Sequence, residues 1–204
     1  MTGTVRGRWS WGLVAGLGTA MLLLAAAPLA LPESYSWVRL GTSESAAQGV
    51  PGAWVARTGF VVFGLSVLGV AVQRHRAWKS LATALHSLFG VSMVMVAVYA
   101  HAPWEPGVPY VRLEDQLHSV AASLVGFSFI AGVLVTLIVR RPRTAIALSG
   151  DLAALVVAAV VPLLMDTGVW GVLQRLMFLT AAAWYAAEAW RGRTYRGQAR
   201  SSPG

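Results

Sequence analysis

Apolar and polar positions fall along this chain in blocks rather than in alternation. Six apolar runs stand out, at about 11–31, 53–73, 81–101, 117–139, 145–165 and 171–190. Each approaches the ~20 residues that carry an α-helix across a hydrocarbon core about 30 Å thick. A spanning helix satisfies its own backbone hydrogen bonds, as lipid demands. The pattern therefore predicts an all-α fold, a bundle of six transmembrane helices in one domain over 1–190. The polar separators at 74–80 and 140–144 are short, which makes the helices they join antiparallel neighbours. The separators at 32–52 and 102–116 are longer, and function concentrates in such loops. Residues 191–204 read as a basic, Gly/Ser-ended tail, predicted to be disordered and drawn weakly to anionic lipid.

Charge placement orients the bundle. With the N-terminus inside, the inner segments hold Arg6, Arg8, Arg74, Arg76, Lys79, Arg140, Arg141, Arg143, Arg191, Arg193, Arg196 and Arg200, and the outer side only Arg39, Arg57, Arg112 and Arg175. The positive-inside rule then places both termini in the cytoplasm and the protein in the plasma membrane as a multi-pass chain. Glu33, Glu44, Glu105, Glu114, Asp115 and Asp166 all fall on the outer side. Tryptophan prefers the interfaces. Trp9, Trp11, Trp78 and Trp190 mark the inner boundary and Trp37, Trp54, Trp104 and Trp170 the outer one, with Trp184 alone inside a span.

Composition agrees. The 204 residues are 56% hydrophobic and 12% charged, about half the charge of a soluble domain. A net charge of +8 would suit nucleic acid, but the basic residues sit in short clusters between apolar runs, so no nucleic-acid partner is expected. With no cysteine there is no disulfide framework, thiolate chemistry or thiolate-bound metal. Arg6 and Arg8 ahead of the first run, and Ala25 and Ala27 near its end, suit a signal peptide. The run exceeds the usual 7–15 apolar residues, however, and a retained anchor is expected.

Candidate chemistry gathers at 101–118: His101, Glu105, Arg112, Glu114, Asp115 and His118, among Pro103, Pro106 and Pro109. Asp115 and His118 are three apart and share a helix face. Such a pair can act as base and orienter, and with His101 it can ligate a metal. Solvated, helix-capping acids at an interface account for the same residues. Ser43 and Glu44 bring polar groups from the first outer loop, Ser43 or Ser45 as the cap of a short helix. Arg57 and Arg175 lie just inside the outer boundary and are predicted to point at the carboxylates of Glu44, Glu105 and Asp115 as an anion clamp. Gln174, Phe178, Ala181, Tyr185 and Glu188 form one stripe, predicted to face the bundle interior. In the inner half, His86 and Asp151 lie at matched depth and are predicted to touch. Glu188 is expected to pair with Arg191. Gly59, Gly64 and Gly69, and the pair Ser128 and Gly132, read as close-packing positions.

Several of these residues carry a family resemblance. Ser43-Glu44 with Gly49 and Pro51, Gly59-Phe60, Pro103, His118, Gly171-Val172-Leu173-Gln174-Arg175 and Trp184 resemble the uncharacterised membrane family of domain of unknown function 998. That family often has a Phe-Pro-x-Asp-like turn after its third span, where this chain reads Ala102-Pro103-Trp104-Glu105. The resemblance implies a six-helix membrane protein and no established activity.

The leading functional reading is an outer polar cluster that binds a ligand, a lipid headgroup or a membrane protein partner. The alternative is a membrane-embedded enzyme acting on a lipid-linked substrate at the outer leaflet. There His118, Asp115, Glu105 and Glu44 would be the catalytic groups, and Arg57, Arg175, Gln174 and Ser43 the binding groups. A small transporter built on His86 and Asp151 is the third reading, although no inverted repeat supports it. Whether the protein is an enzyme, and which cofactor it holds, stay open on the sequence.

Overall fold

The computed structural model describes residues 2–140 and 144–194, with side chains over 9–140 and 144–191. Every regular element among the described residues is helical. The helices are α1 (Thr2–Ala26), α2 (Trp54–Val98), α3 (Arg112–Arg140), α4 (Ala145–Val160) and α5 (Trp170–Thr194), with short 3-10 turns at Ala27–Ala30, Glu44–Ala46 and Val161–Leu164. Four stretches are long and apolar enough to cross a membrane: Trp9–Ala30, Trp54–Val98, Arg112–Arg140 and Ala145–Leu164. Arg141, Arg143 and the tail from 195 lie outside the described residues, as do the side chains of Arg6, Arg8 and Arg193. The tail predicted from 191 begins as helix, because α5 continues to Thr194.

α2 is not one rod. Lys79 has φ 64° and ψ 176°, a non-helical conformation that breaks the 45-residue element. Such a backbone is rare for a residue with a Cβ. The halves 54–78 and 80–98 fold back on one another, the Phe63 and Phe89 rings 5.7 Å apart. Gly64 and Gly90 make the approach possible: a Cβ on Gly64 would lie 2.5 Å from the Gly90 carbonyl. The segment 74–80, read from sequence as a loop, is therefore helix on both sides of a single reversing residue.

α1 packs on the first half of α2 and on α5, α3 on the second half of α2, and α4 bridges α3 and α5. Local chemistry sets the ends. Thr144 caps α4 by accepting from the Ala147 N–H at 3.2 Å, and Pro162, which has no N–H to continue the helix, turns the chain out through Val161–Leu164. Glu114 and Asp115 occupy the first turn of α3, where the helix dipole favours them, and Arg140 the last. The core runs along α2, through Phe60, Phe63, Val67, Trp78, Phe89 and Met93. Ser128 is fully buried and Gly132 buried, as the close-packing pattern predicts.

Candidate functional site

Segment 32–53 folds over one end of the bundle as a cap. Its turns leave backbone carbonyls that no regular element satisfies, and the two arginines predicted to meet carboxylates meet these instead. Arg57 donates from Nε to the Ala46 carbonyl at 3.0 Å and from Nη2 to that of Ala47 at 2.9 Å. Arg175 donates from Nη1 to the carbonyls of Trp37 (2.8 Å), Leu40 (3.2 Å) and Gly171 (2.8 Å), and from Nη2 to the Tyr35 hydroxyl at 2.7 Å. The anion clamp expected from the sequence is a loop staple. Gln174 Oε1 accepts from the Thr42 N–H at 2.5 Å. Gly171 lets the cap close, since a Cβ there would meet the Trp37 and Leu40 carbonyls. The Tyr35 hydroxyl donates to the Gly41 carbonyl at 2.8 Å. Burial pushes its pKa up, opposed by the Arg175 charge and reinforced by Glu44. The short helix at Glu44–Ala46 exists, but no side chain caps it; the Ser45 hydroxyl donates to the Thr42 carbonyl.

The 101–118 cluster does not converge either. Asp115 Oδ1 accepts from the Ala102 N–H at 2.8 Å, and His118 Nδ1 lies 2.8 Å from the Tyr99 carbonyl. Asp115 and His118 thus each hold backbone, not one another. His101 lies edge-on to His118, ring centres 5.2 Å apart, with its Nδ1 2.7 Å from the Ala102 carbonyl. Among the described residues no group of three His, Asp or Glu is placed to hold a metal, and His101, Asp115 and His118 do not make up such a group. Glu105 is exposed and accepts from the Ser34 hydroxyl. Gln48, not singled out from the sequence, ties this segment to the cap. Its side chain donates to the Ala100 and Val111 carbonyls at 2.9 and 3.1 Å and accepts from the Val111 N–H at 2.7 Å.

Below the cap lies a cleft. The space between α3 and α5, floored by the second half of α2, is a cavity of about 110 Å³. Its walls are apolar, among them Phe89, Met93, Val125, Phe129, Met177 and Phe178; Ser43 and Gln174 supply its polar end. Gly126 sits in the wall with nothing within 4 Å of a Cβ placed on it. Around Gly41, beside that polar end, three polar groups meet. A Cβ there would strike Gln174 Oε1 and lie 2.7 Å from Glu44 Oε2 and 3.0 Å from Trp170 Nε1. The half-buried Glu44 carboxylate has no ion-pair partner among the described residues.

The opposite end is a clasp of buried charge. Glu188 on α5 has no exposed surface. Its Oε2 accepts from Arg74 (Nη2 at 3.1 Å) and from Trp78 Nε1 at 3.0 Å; its Oε1 accepts from Arg140 and from Arg191. Arg140 also pairs with the fully buried Asp151 of α4, which accepts from Trp184 Nε1 at 2.9 Å. The pairing of Glu188 with Arg191 is as expected, but it is one bond of four. His86 and Asp151 do not bond, contrary to expectation. The His86 ring lies between Tyr185 Oη (2.9 Å from Nδ1) and Thr136 Oγ1 (3.1 Å from Nε2). Arg140, the last residue of α3, takes the place beside Asp151 and brings it a full charge. The His86 ring stacks on Trp184, centres 5.0 Å apart, and Trp184 is its link to Asp151. Gly132 makes room for the ring, since a Cβ there would lie 2.7 Å from His86 Cε1. Trp78, read as an interfacial tryptophan, is fully buried against His86, ring centres 4.2 Å apart.

Arg74, Thr136 and Arg140 were not singled out from the sequence as site residues. Two acids inside apolar runs were the available signal, because each needs a cation at its own depth. The α5 stripe does face inward, with Ala181, Tyr185 and Glu188 buried.

A search of curated proteins and of solved structures gives no match. A family model described as protein of unknown function, DUF998, matches residues 13–191. A match over that span covers both the cap and the clasp, and the chain belongs to the DUF998 family.

Proposed function

We propose that this chain is a lipid-binding protein of the cell membrane, crossing it six times with both termini in the cytoplasm, and that the cleft between α3 and α5 receives a hydrocarbon chain of an outer-leaflet lipid. The two halves of α2 count as separate spans, and α5, at 25 residues, as the last. Its polar residues turn into the bundle rather than toward lipid. The excess of Lys and Arg on the clasp side supports the orientation, which puts the cap outside.

The observation that carries the lipid reading is the cavity: about 110 Å³, apolar on three sides and polar at its cap end. It approaches the ~150 Å³ of apolar cavities that stay dry and take up a benzene-sized guest. Binding sites in general pair an apolar lining with a few placed polar groups. Ser43 and Gln174 meet that description at the depth of the headgroups.

Two measurements test this. The chain has no native cysteine, so single cysteines at Glu105 and Ser80 report topology directly. Labelling from outside at 105 and not at 80 is expected, and the reverse overturns the orientation. A photoactivatable fatty-acyl phospholipid in nanodiscs should crosslink to Val125, Gly126 and Met177, and Gly126→Phe, which fills open space, should abolish those crosslinks without lowering the Tm. Crosslinks spread evenly over the exposed helix faces, or unchanged in Gly126→Phe, overturn the cleft.

A further inference from the structure

The headgroup class is legible in the cap. Three polar groups pack closely around the buried Gly41: Glu44 Oε2, Gln174 Oε1 and Trp170 Nε1, each within 3.0 Å of where a Cβ would stand. Gln174 Oε1 already accepts from the Thr42 and Ser43 N–H groups. Glu44 differs: it is half-buried, and no described residue pairs with it. The nearby cation does not compensate it. Arg175 and Glu44 both act on the Tyr35 hydroxyl, but the guanidinium is directed to three carbonyls and that hydroxyl. Elsewhere in the bundle the two fully buried carboxylates each have an arginine. Glu44 is thus a carboxylate in a partly desolvated place, beside the polar end of an apolar cleft, with its counter-charge missing.

Gln174 lines the polar end of the cleft and lies with Glu44 against Gly41, so a headgroup held at that end stands near this carboxylate. A phosphate-only or glycerol headgroup would add like charge or none. A headgroup ending in a primary ammonium supplies a cation and three N–H donors. It can satisfy Glu44 by a charge-assisted hydrogen bond. We propose that the Glu44 carboxylate beside Gly41 selects an amine-bearing phospholipid, of the ethanolamine type, as the occupant of the α3–α5 cleft. The proposal rests on the cleft reading above. A free amine, lacking the chain, has nothing to hold in the apolar part.

The experiment is native mass spectrometry of the full chain in mixed vesicles of phosphatidylethanolamine, phosphatidylglycerol and phosphatidylcholine, read together with the acyl crosslinks. The expected result is about fivefold enrichment of retained phosphatidylethanolamine over both others, consistent with ~1 kcal/mol from a partly exposed charge pair. Phosphatidylcholine is the informative control, because it keeps the positive charge and lacks the N–H donors. Glu44→Gln should lose the enrichment and keep the crosslinks at Val125 and Gly126. Gly41→Ala, whose Cβ would stand 2.7 Å from Glu44 Oε2 and push that carboxylate from its place, should do the same with the charge intact. Phosphoethanolamine added at millimolar concentration should not displace the lipid. Equal retention of the three lipids by the wild type, enrichment that survives Glu44→Gln, or displacement by free phosphoethanolamine overturns the headgroup assignment and leaves the cleft standing. Loss of crosslinks from the wild type overturns the cleft itself.

Discussion

The two ends of this bundle use arginine in opposite ways. At the clasp, Arg74, Arg140 and Arg191 all go to carboxylates, Glu188 and Asp151, which have no exposed surface. At the cap, Arg57 and Arg175 go to backbone carbonyls, and among the described residues no carboxylate there forms an ion pair. The difference follows from what each end must satisfy. At the clasp the two acids lie within helices, α5 and α4, whose backbone there is bonded internally, so the unsolved problem is the buried acid. At the cap the backbone is irregular, so the unsolved problem is a set of orphan carbonyls. A guanidinium, with five donors in a fixed fork, answers both. Sequence position alone does not say which.

This comparison can be broken by substitution. The largest effect is expected at Glu188: Glu188→Ala removes the acceptor shared by three guanidiniums and the Trp78 N–H. A loss of about 3–5 kcal/mol is expected, the range for breaking a buried ion pair from one side. Thermal melting in detergent checks it, and a near wild-type Tm would mean the clasp is solvated. Next comes Asp151. Asp151→Leu removes the acceptor of both Arg140 and Trp184 and should also cost about 3–5 kcal/mol. Asp151→Asn keeps an acceptor for Trp184 and should cost roughly half as much. Equal melting of the two would deny the Trp184 bond its part. Smaller is Arg175→Ala, at about 1.5–3 kcal/mol for lost hydrogen bonds to a charged group. It should show as faster hydrogen exchange over 32–53 before it shows in melting. Lys at 175 should not restore the cap, because a single ammonium cannot span carbonyls from Trp37 to Gly171. Arg112, exposed at the start of α3, is the control. Arg112→Ala should stay within about 0.5 kcal/mol of wild type.

The helices were legible because each is an apolar run long enough to read without knowing its neighbours. The inward stripe of α5 was legible for a related reason: five residues from Gln174 to Glu188 recur at helical spacing. What each arginine would find was not. Counting Arg74 and Arg140 toward the positive-inside rule treats them as loop charges, yet each side chain reaches back along its helix to an acid inside the bundle. The partners of Arg57 and Arg175 are carbonyls, which every residue carries, so no side-chain pattern announces them. His86 and Asp151 show the limit of matching depths. Two groups at one level can each have a better neighbour, and the angle around the helix axis decides.

The reversal at Lys79 bears on how such a chain enters a bilayer. Its halves are joined with almost no slack, the single non-helical residue having φ 64°. On the six-span reading proposed above, the two halves lie close enough to enter the bilayer together as a hairpin. The Gly64–Gly90 approach and the Phe63–Phe89 contact can then form before α3 is synthesised, making this pair the seed of the bundle.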